Sequence, residues 1–128
     1  MGAIAEEAGQ MDLFPRALER DKQVTKRMLE RYCQDKREME ELARRGLEGM
    51  TPNQRDHYEE RVARICNLES AVRLILDREV REIVQYRYIE GHRNKLTMLR
   101  FRPLDESTIA RKLQRGIESV AESLKIFE

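Results

Sequence analysis

Aromatic residues are scarce in this chain of 128 residues. Phe, Tyr and Trp together make up 5% of it and Trp is absent, whereas charged residues make up 38%. Strands rely on aromatic and β-branched side chains, so this composition instead favours helices with charged outer faces. We therefore expect an all-α protein.

Long apolar runs and clustered cysteines are missing too. No apolar run approaches the ~20 residues of a membrane-spanning helix, and residues 1–10 have neither the basic start nor the apolar centre of a signal peptide. The two cysteines, Cys33 and Cys66, are too far apart in the sequence for a zinc ligand set or a dense disulfide scaffold. We expect a cytoplasmic protein without a membrane partner, in which both thiols are reduced packing residues.

Sequence patterns typical of enzymes are not found. The chain has no phosphate-binding glycine loop, no nucleophile elbow and no zinc-protease motif. His57 and His92 each lack a second His or Cys at ligand spacing. We expect no enzymatic activity, no metal site and no cofactor.

The N-terminal part of the chain predicts one long charged helix. Residues 1–14 show no periodicity, and we expect them to be loose. From about 15 to 45, apolar side chains recur at helical spacing among acidic and basic residues that can pair along the helix. Gly46 and Gly49 then interrupt this pattern.

A second helical pattern starts at Thr51 and Pro52 and runs to about residue 76. A Thr hydroxyl can cap free backbone amides, and Pro suits the first helical position. Its predicted inner face is apolar except at one Glu and consists of Tyr58, Val62, Ile65, Cys66, Glu69, Val72 and Leu76. Two long helices with a short loop between them form an antiparallel hairpin, which we assign to residues 15–76 as a unit for partner binding or dimerisation.

The last part of the chain, residues 77–128, predicts two further helices. Asp77 can cap the first helix and Gly91 can end it, while Asp105 or Ser107 can cap the second. The second helix has the strongest apolar stripe in the chain, formed by Ile109, Leu113, Ile117, Val120 and Leu124.

The connector and one glycine of this part are also informative. The connector, residues 92–104, fits either a short irregular helix or an extended segment. Gly116 lies inside the last helix, where Gly costs ~1 kcal/mol relative to Ala. We expect Gly116 to allow close packing against a neighbouring helix.

Positive charge is concentrated near the end of the chain. The net charge is only +1, but residues 92–115 hold seven cations against two carboxylates, which is a local excess of +5. Such an excess can attract phosphates. If the apolar stripe of the last helix is buried, its polar and basic side chains point outward in the first three turns.

The segments 77–91 and 106–118 resemble region 4 of sigma-70-type factors and, more closely, phage late-gene activators of the ArpU and RinA kind. In those families an Arg-Tyr-(aliphatic)-Glu-Gly stretch ends the helix before the DNA-binding pair, and Ser-x-(Thr/Ser)-(Val/Ile) opens the recognition helix. Residues 87–91 match the first motif, and residues 107–109 match the second except that Ser and Thr are adjacent. The connector departs from the sigma pattern, since it lacks the Glu-Ile-Ala type of scaffold helix and the Leu-Gly turn.

The resemblance, which covers about residues 76 to 125, implies a helix-turn-helix-like DNA-binding domain over residues 77–128. The chain would then be a sequence-specific transcriptional regulator of phage or prophage type that acts at promoters. Its partners would be double-stranded DNA, RNA polymerase and further copies of itself. The residues expected to read bases are Ser107, Thr108, Arg111 and Lys112, and those expected to contact phosphates are Arg93, Lys95, Arg100, Arg102 and Arg115.

Other interpretations stay open. Arg111, Lys112 and Arg115 could form an ordinary solvated helix face, and Tyr86 and Tyr88 are better interpreted as half-buried packing residues than as base-stacking platforms. The alternative functions are a helical assembly protein, such as a phage DNA-packaging adaptor, and a polymerase-binding cofactor without DNA affinity.

Overall fold

A computed structural model describes residues 18–127. Every regular element in this range is helical, so the predicted all-α class is confirmed. The segment predicted to be loose, residues 1–14, lies outside the described residues. The main helices are α1 (Glu19–Arg45), α2 (Pro52–Arg73), α3 (Arg78–Val84), α4 (Asn94–Arg100) and α5 (Glu106–Leu124), with short 3₁₀ turns at Leu47–Gly49 and Lys125–Phe127 and a π-helical segment at Gln85–Ile89.

The predicted start signals of three helices are confirmed. The Thr51 hydroxyl accepts a hydrogen bond from the Gln54 amide at 3.1 Å, and the Gln54 side chain accepts one from the Thr51 amide, which completes a capping box. Asp77 caps α3 through the amide of Val80, and Asp105 caps α5. These contacts satisfy backbone amides that have no partner inside their own helix.

The π-helical segment Gln85–Ile89 continues α3, and the chain turns at Gly91 as predicted. Gly91 has a φ of 81°, a left-handed conformation that glycine adopts without steric cost. A Cβ at this position would lie 2.9 Å from Sγ of Cys33. The half-buried Cys33 thiol donates to the carbonyl oxygens of Tyr88 and Ile89, both at 3.5 Å, so it packs as expected.

One core draws on both predicted halves of the chain. Helix α5 packs against α1, α2 and α3. Its stripe is buried from Ile109 to Val120, and Leu124 packs at the edge. The other core side chains are Leu29, Tyr32, Ile65, Leu68, Ala71, Val72, Ile75, Val80, Ile83, Val84 and Tyr88.

Close packing at Gly116 is confirmed. A Cβ on Gly116 would overlap with Cγ2 of Val84 and would lie 3.2 Å from Cγ1 of Val80. Both valines belong to α3 and are buried. Glycine therefore lets α5 approach α3 more closely than any other residue would allow.

The predicted inner face of α2 is only partly correct. Leu76 is 96% exposed, and Cys66 is exposed as well, so the packing role expected for the Cys66 thiol is wrong. Leu68 and Ile75 are buried instead. The reason is that α2 ends at Arg73, so helical spacing does not extend to position 76, and that α2 contacts both α1 and α5. A helix between two neighbours buries more than one stripe.

A network of polar side chains between α1 and α2 accounts for Glu69. The Glu69 carboxylate accepts hydrogen bonds from the Tyr32 hydroxyl and from the Lys36 ammonium, the latter at 2.8 Å. Burial and the bond to Glu69 raise the pKa of Tyr32. Burial alone would raise the pKa of Glu69, but the hydrogen bonds from Lys36 and Tyr32 outweigh it and lower this pKa. A half-buried carboxylate is tolerated here because its oxygens are bonded.

The connector forms a short helix, α4, so the helical alternative is correct over Asn94–Arg100. Thr97 is fully buried, and its hydroxyl donates to the carbonyl oxygen of Arg93 at 2.9 Å. Met98 in α4 and Phe101, directly after its end, pack against the core. Within residues 18–127, none of the helices combines the length and the apolar character needed to cross a bilayer.

Candidate nucleic-acid interface

The outer face of α5 presents a row of polar and basic side chains. Ser107, Arg111, Arg115 and Glu118 follow one another at spacings of four, four and three residues, so they lie along one side of the helix. The first three are exposed. The opposite side is the buried stripe that begins at Ile109.

The Asp105 cap organises the start of this face. Its carboxylate accepts hydrogen bonds from the Thr108 amide at 2.8 Å and from the Ser107 hydroxyl at 3.0 Å. These bonds, the Thr108 amide first, hold the pKa of Asp105 below its usual range. Arg111 donates one guanidinium hydrogen to the Thr108 hydroxyl at 3.2 Å. A guanidinium has five N–H donors, so Arg111 keeps others for a ligand.

Lys112 points towards α3 rather than along this row. Its ammonium nitrogen lies 3.0 Å from Oε1 of Glu79, and its side chain is 19% exposed. Lys112, one of the five α5 residues predicted to contact DNA, thus already has a carboxylate partner. Its contact with DNA stays a prediction. To bind DNA, Lys112 would have to share its ammonium group between Glu79 and the DNA, or release Glu79.

The predicted cations of the connector surround α4 and are all exposed. Arg93 precedes the helix and Lys95 lies in its first turn. The Arg100 guanidinium lies over two aromatic rings, 5.9 Å from the centre of Tyr86 and 5.4 Å from that of Phe101. Such stacking fixes the position of the guanidinium without neutralising its charge.

An open groove separates α4 from the start of α5. We call it the α4–α5 groove; it has a volume of about 710 Å³ and its polar rim includes Lys95, Arg102, Asp105 and Glu106. The structure therefore brings Lys95 and Arg102 together at the N-terminal end of α5. It also places the only two carboxylates of residues 92–115 beside them, so the local positive charge is lower here than the sequence excess suggests.

A second depression, the α1–α5 groove, lies between α1 and α5. It is lined by Lys22, Arg111, Gln114, Arg115 and Glu118 and has a volume of about 240 Å³. Sequence reasoning missed Lys22 and Gln114. Gln114 follows Arg111 by one helical turn and could have been found from that spacing, whereas no local pattern relates Lys22 to α5.

Aromatic and polar contacts hold α4 in place. The Tyr86 ring stacks on His92 with a centroid distance of 3.9 Å and meets Phe101 edge-on at 5.7 Å. Arg87 donates to Oδ1 of Asn94 at 2.7 Å. Tyr88 is buried, and burial raises its pKa. The interpretation of both tyrosines as packing residues is confirmed.

No protein-family model, curated protein or solved structure matches this chain. Among residues 18–127, no group of three His, Cys, Asp or Glu side chains lies close enough together to hold a metal ion. The side chains around α5 and α4 are therefore the main guide to function.

Proposed function

We propose that this chain is a sequence-specific DNA-binding transcriptional regulator of phage or prophage type that acts at promoters. The observation that carries this proposal is the division of α5 into two sides. One side is buried in the core, while the other presents Ser107, Arg111 and Arg115 to solvent. The resemblance to sigma region 4 and to the ArpU and RinA activators supports the same function.

The dimensions of α5 suit a recognition helix. It has 19 residues, which at about 1.5 Å per residue gives a rod about 28 Å long. An α-helix with side chains is about 10–12 Å wide, and the major groove of DNA is about 12 Å wide. In a helix-turn-helix domain the N-terminal residues of such a helix meet base edges, and flanking cations hold phosphates.

The proposed roles follow the positions of the side chains. Arg111, with free donors in the second turn of α5, reads a base edge, and the Ser107 and Thr108 hydroxyls assist it. Arg115 lies one turn further on and contacts a phosphate. Lys95 and Arg102, on the rim of the α4–α5 groove at the start of α5, contact the DNA backbone there.

We further propose that α1 and α2 form an antiparallel hairpin for partner binding or dimerisation. Two ion pairs support this arrangement: Glu38 lies 3.1 Å from Arg61, and Asp35 lies 3.5 Å from Arg64. In these pairs a later residue of α1 meets an earlier residue of α2, as antiparallel packing requires. Dimerisation would combine two modest DNA-binding surfaces on a paired site.

The test is footprinting of the purified protein across the DNA that flanks its own gene, at two salt concentrations. The wild type should protect a defined site. Arg111→Ala should reduce discrimination between this site and random duplex, because one mismatched base contact is worth about 1–3 kcal/mol. Lys95→Ala or Arg102→Ala should weaken binding to all duplexes and flatten its salt dependence.

Arg37→Ala is a matched control, since it removes an exposed arginine on α1 whose neighbours include Glu38, Glu40 and Glu41. It should leave both affinity and discrimination unchanged. Equal DNA binding by the wild type and an Arg111/Lys112/Arg115 triple alanine variant would refute the assignment of the site. Light scattering that reveals a large ring, together with binding that lacks sequence preference, would favour the assembly-protein alternative.

A further inference from the structure

The α1–α5 groove combines residues from opposite ends of the chain. Lys22 comes from α1, while Arg111, Gln114, Arg115 and Glu118 come from α5. Three cations and one carboxylate give the groove a formal charge of +2 at neutral pH. Gln114 is exposed and adds an amide that can donate hydrogen bonds without charge.

Lys22 is held in the groove by carboxylates. Its ammonium nitrogen lies 3.0 Å from Oε2 of Glu118 and 3.8 Å from Oε1 of Glu19. The hydrogen bond to Glu118 raises the pKa of Lys22, so the ammonium stays charged. The side chain is still 28% exposed, and an ammonium has three donors, so an incoming anion can share it with Glu118.

We propose that the α1–α5 groove binds a backbone phosphate of DNA, with Lys22 and Arg115 as its charged ligands and Gln114 as a neutral donor. This inference rests on the proposed function, because it assumes that Arg111 faces the bases next to that phosphate. It extends the DNA-contacting surface from the C-terminal part of the chain to α1. Contacts to phosphates from an element outside the recognition helix fix the orientation of that helix on the duplex.

Glu118 opposes the phosphate in this arrangement. Its carboxylate positions Lys22, but it also repels an anion that enters the groove. Neutralising Glu118 should therefore increase the affinity for DNA, whereas neutralising Lys22 should decrease it. Both substitutions break the same ion pair, so opposite effects on affinity cannot come from the loss of the pair itself.

The experiment measures binding of a specific and a random duplex across a range of salt concentrations. Lys22→Gln should lower the affinity for both duplexes roughly three- to tenfold and should reduce the slope of log affinity against log salt by about 0.9, the value for one phosphate. Glu118→Gln should raise both affinities. Lys125→Gln is the matched control, because Lys125 also links the end of the chain to α1, through Asp21 at 3.0 Å, but does not line this groove.

The outcomes separate this inference from the proposed function. A wild type without affinity for any duplex would refute the proposed function. A wild type that binds its site, together with Lys22→Gln and Glu118→Gln variants that behave like Lys125→Gln, would overturn only the phosphate assignment. Inorganic phosphate provides a further arm: amide resonances of Lys22 and Gln114 that respond to phosphate but not to duplex would mark a site for free anions and would also overturn the assignment.

Discussion

Gly116 sets the distance between α5 and α3, because any Cβ at this position would overlap with Cγ2 of Val84. We predict that Gly116→Ala lowers the free energy of unfolding by about 1 kcal/mol. The helix gains about 1 kcal/mol from Ala, but overpacking against a stiff, buried β-branched side chain costs about 1–3 kcal/mol. Urea denaturation measures the difference.

The control for this prediction is the same substitution in a Val84→Ala background. Val84→Ala alone should destabilise the protein, because it removes buried methyl groups. With that methyl group gone, the overlap is relieved, and Gly116→Ala should then stabilise by up to about 1 kcal/mol. A stabilising effect of Gly116→Ala in the wild-type background would show that α5 can move away from α3 at little cost.

Ile75 and Leu76 are neighbours with opposite environments, since Ile75 is 3% exposed and Leu76 is 96% exposed. We predict that Ile75→Ala costs about 2–5 kcal/mol, as for other large buried side chains, and that Leu76→Ala changes stability by less than about 0.5 kcal/mol. Chemical denaturation of the two variants provides the comparison. If Leu76→Ala lowered the free energy of unfolding as much as Ile75→Ala, Leu76 would be buried in solution, for example between two copies of the protein.

Single positions show where sequence reasoning succeeds and where it stops. The role of Gly116 was predicted correctly because a glycine inside a strongly amphipathic helix most often allows close packing against a neighbouring helix. The role of Glu69 could not be found, because its partners Tyr32 and Lys36 lie on another helix. Lys22 was missed for the same reason: its place beside α5 depends on how whole helices pack.

Among the elements, α5 depends most clearly on its cap. Hydrogen bonds, first from the Thr108 amide, hold the pKa of Asp105 below its ordinary value of 3.8. A carboxyl whose pKa is lower in the folded state stabilises that state above pH 3.8, and this contribution is lost as the pH falls through the lowered pKa. We predict that Asp105→Asn, which keeps a good cap without a charge, removes this part of the pH dependence.

The measurement is the thermal midpoint of the wild type and of Asp105→Asn at a series of acidic pH values. The difference between the two should be constant at pH values well above 3.8 and should change as the pH approaches 3.8 and falls below it. Asp56→Asn is a matched control, because it removes an exposed carboxylate of α2 that caps no helix. A difference curve of the same shape for Asp56→Asn would contradict the role assigned to the cap.

Helix starts were largely predictable, whereas α4 was not. Capping is local, so Thr51, Asp77 and Asp105 could be identified from a few adjacent residues. The connector has no such signal, and α4 is stabilised by contacts from the preceding π-helical segment, such as the bond between Arg87 and Asn94. A helix of seven residues is too short to form without such tertiary contacts.

On the scale of the whole molecule, the two predicted parts, residues 15–76 and 77–128, have different proposed functions but share one core. Leu29 and Leu68 from the first part are buried in the same cluster as Ile83 and Ile117 from the second. Sequence periodicity indicates which side of a helix is apolar, but it does not indicate which helix covers that side. The predicted boundary at residue 76 therefore separates two proposed functions, while the core extends across it.

We predict that the full chain unfolds in one cooperative transition and that residues 77–128 alone do not. The isolated segment would lose α1 and α2 and would expose the apolar stripe of α5 to water. Circular dichroism and tyrosine fluorescence should report the same midpoint for the full chain. In that chain, Leu68→Ala in α2 and Ile117→Ala in α5 should both lower this single midpoint. Two separate transitions, each shifted by only one of the substitutions, or a sharp transition of the isolated segment, would instead require two independently folding domains.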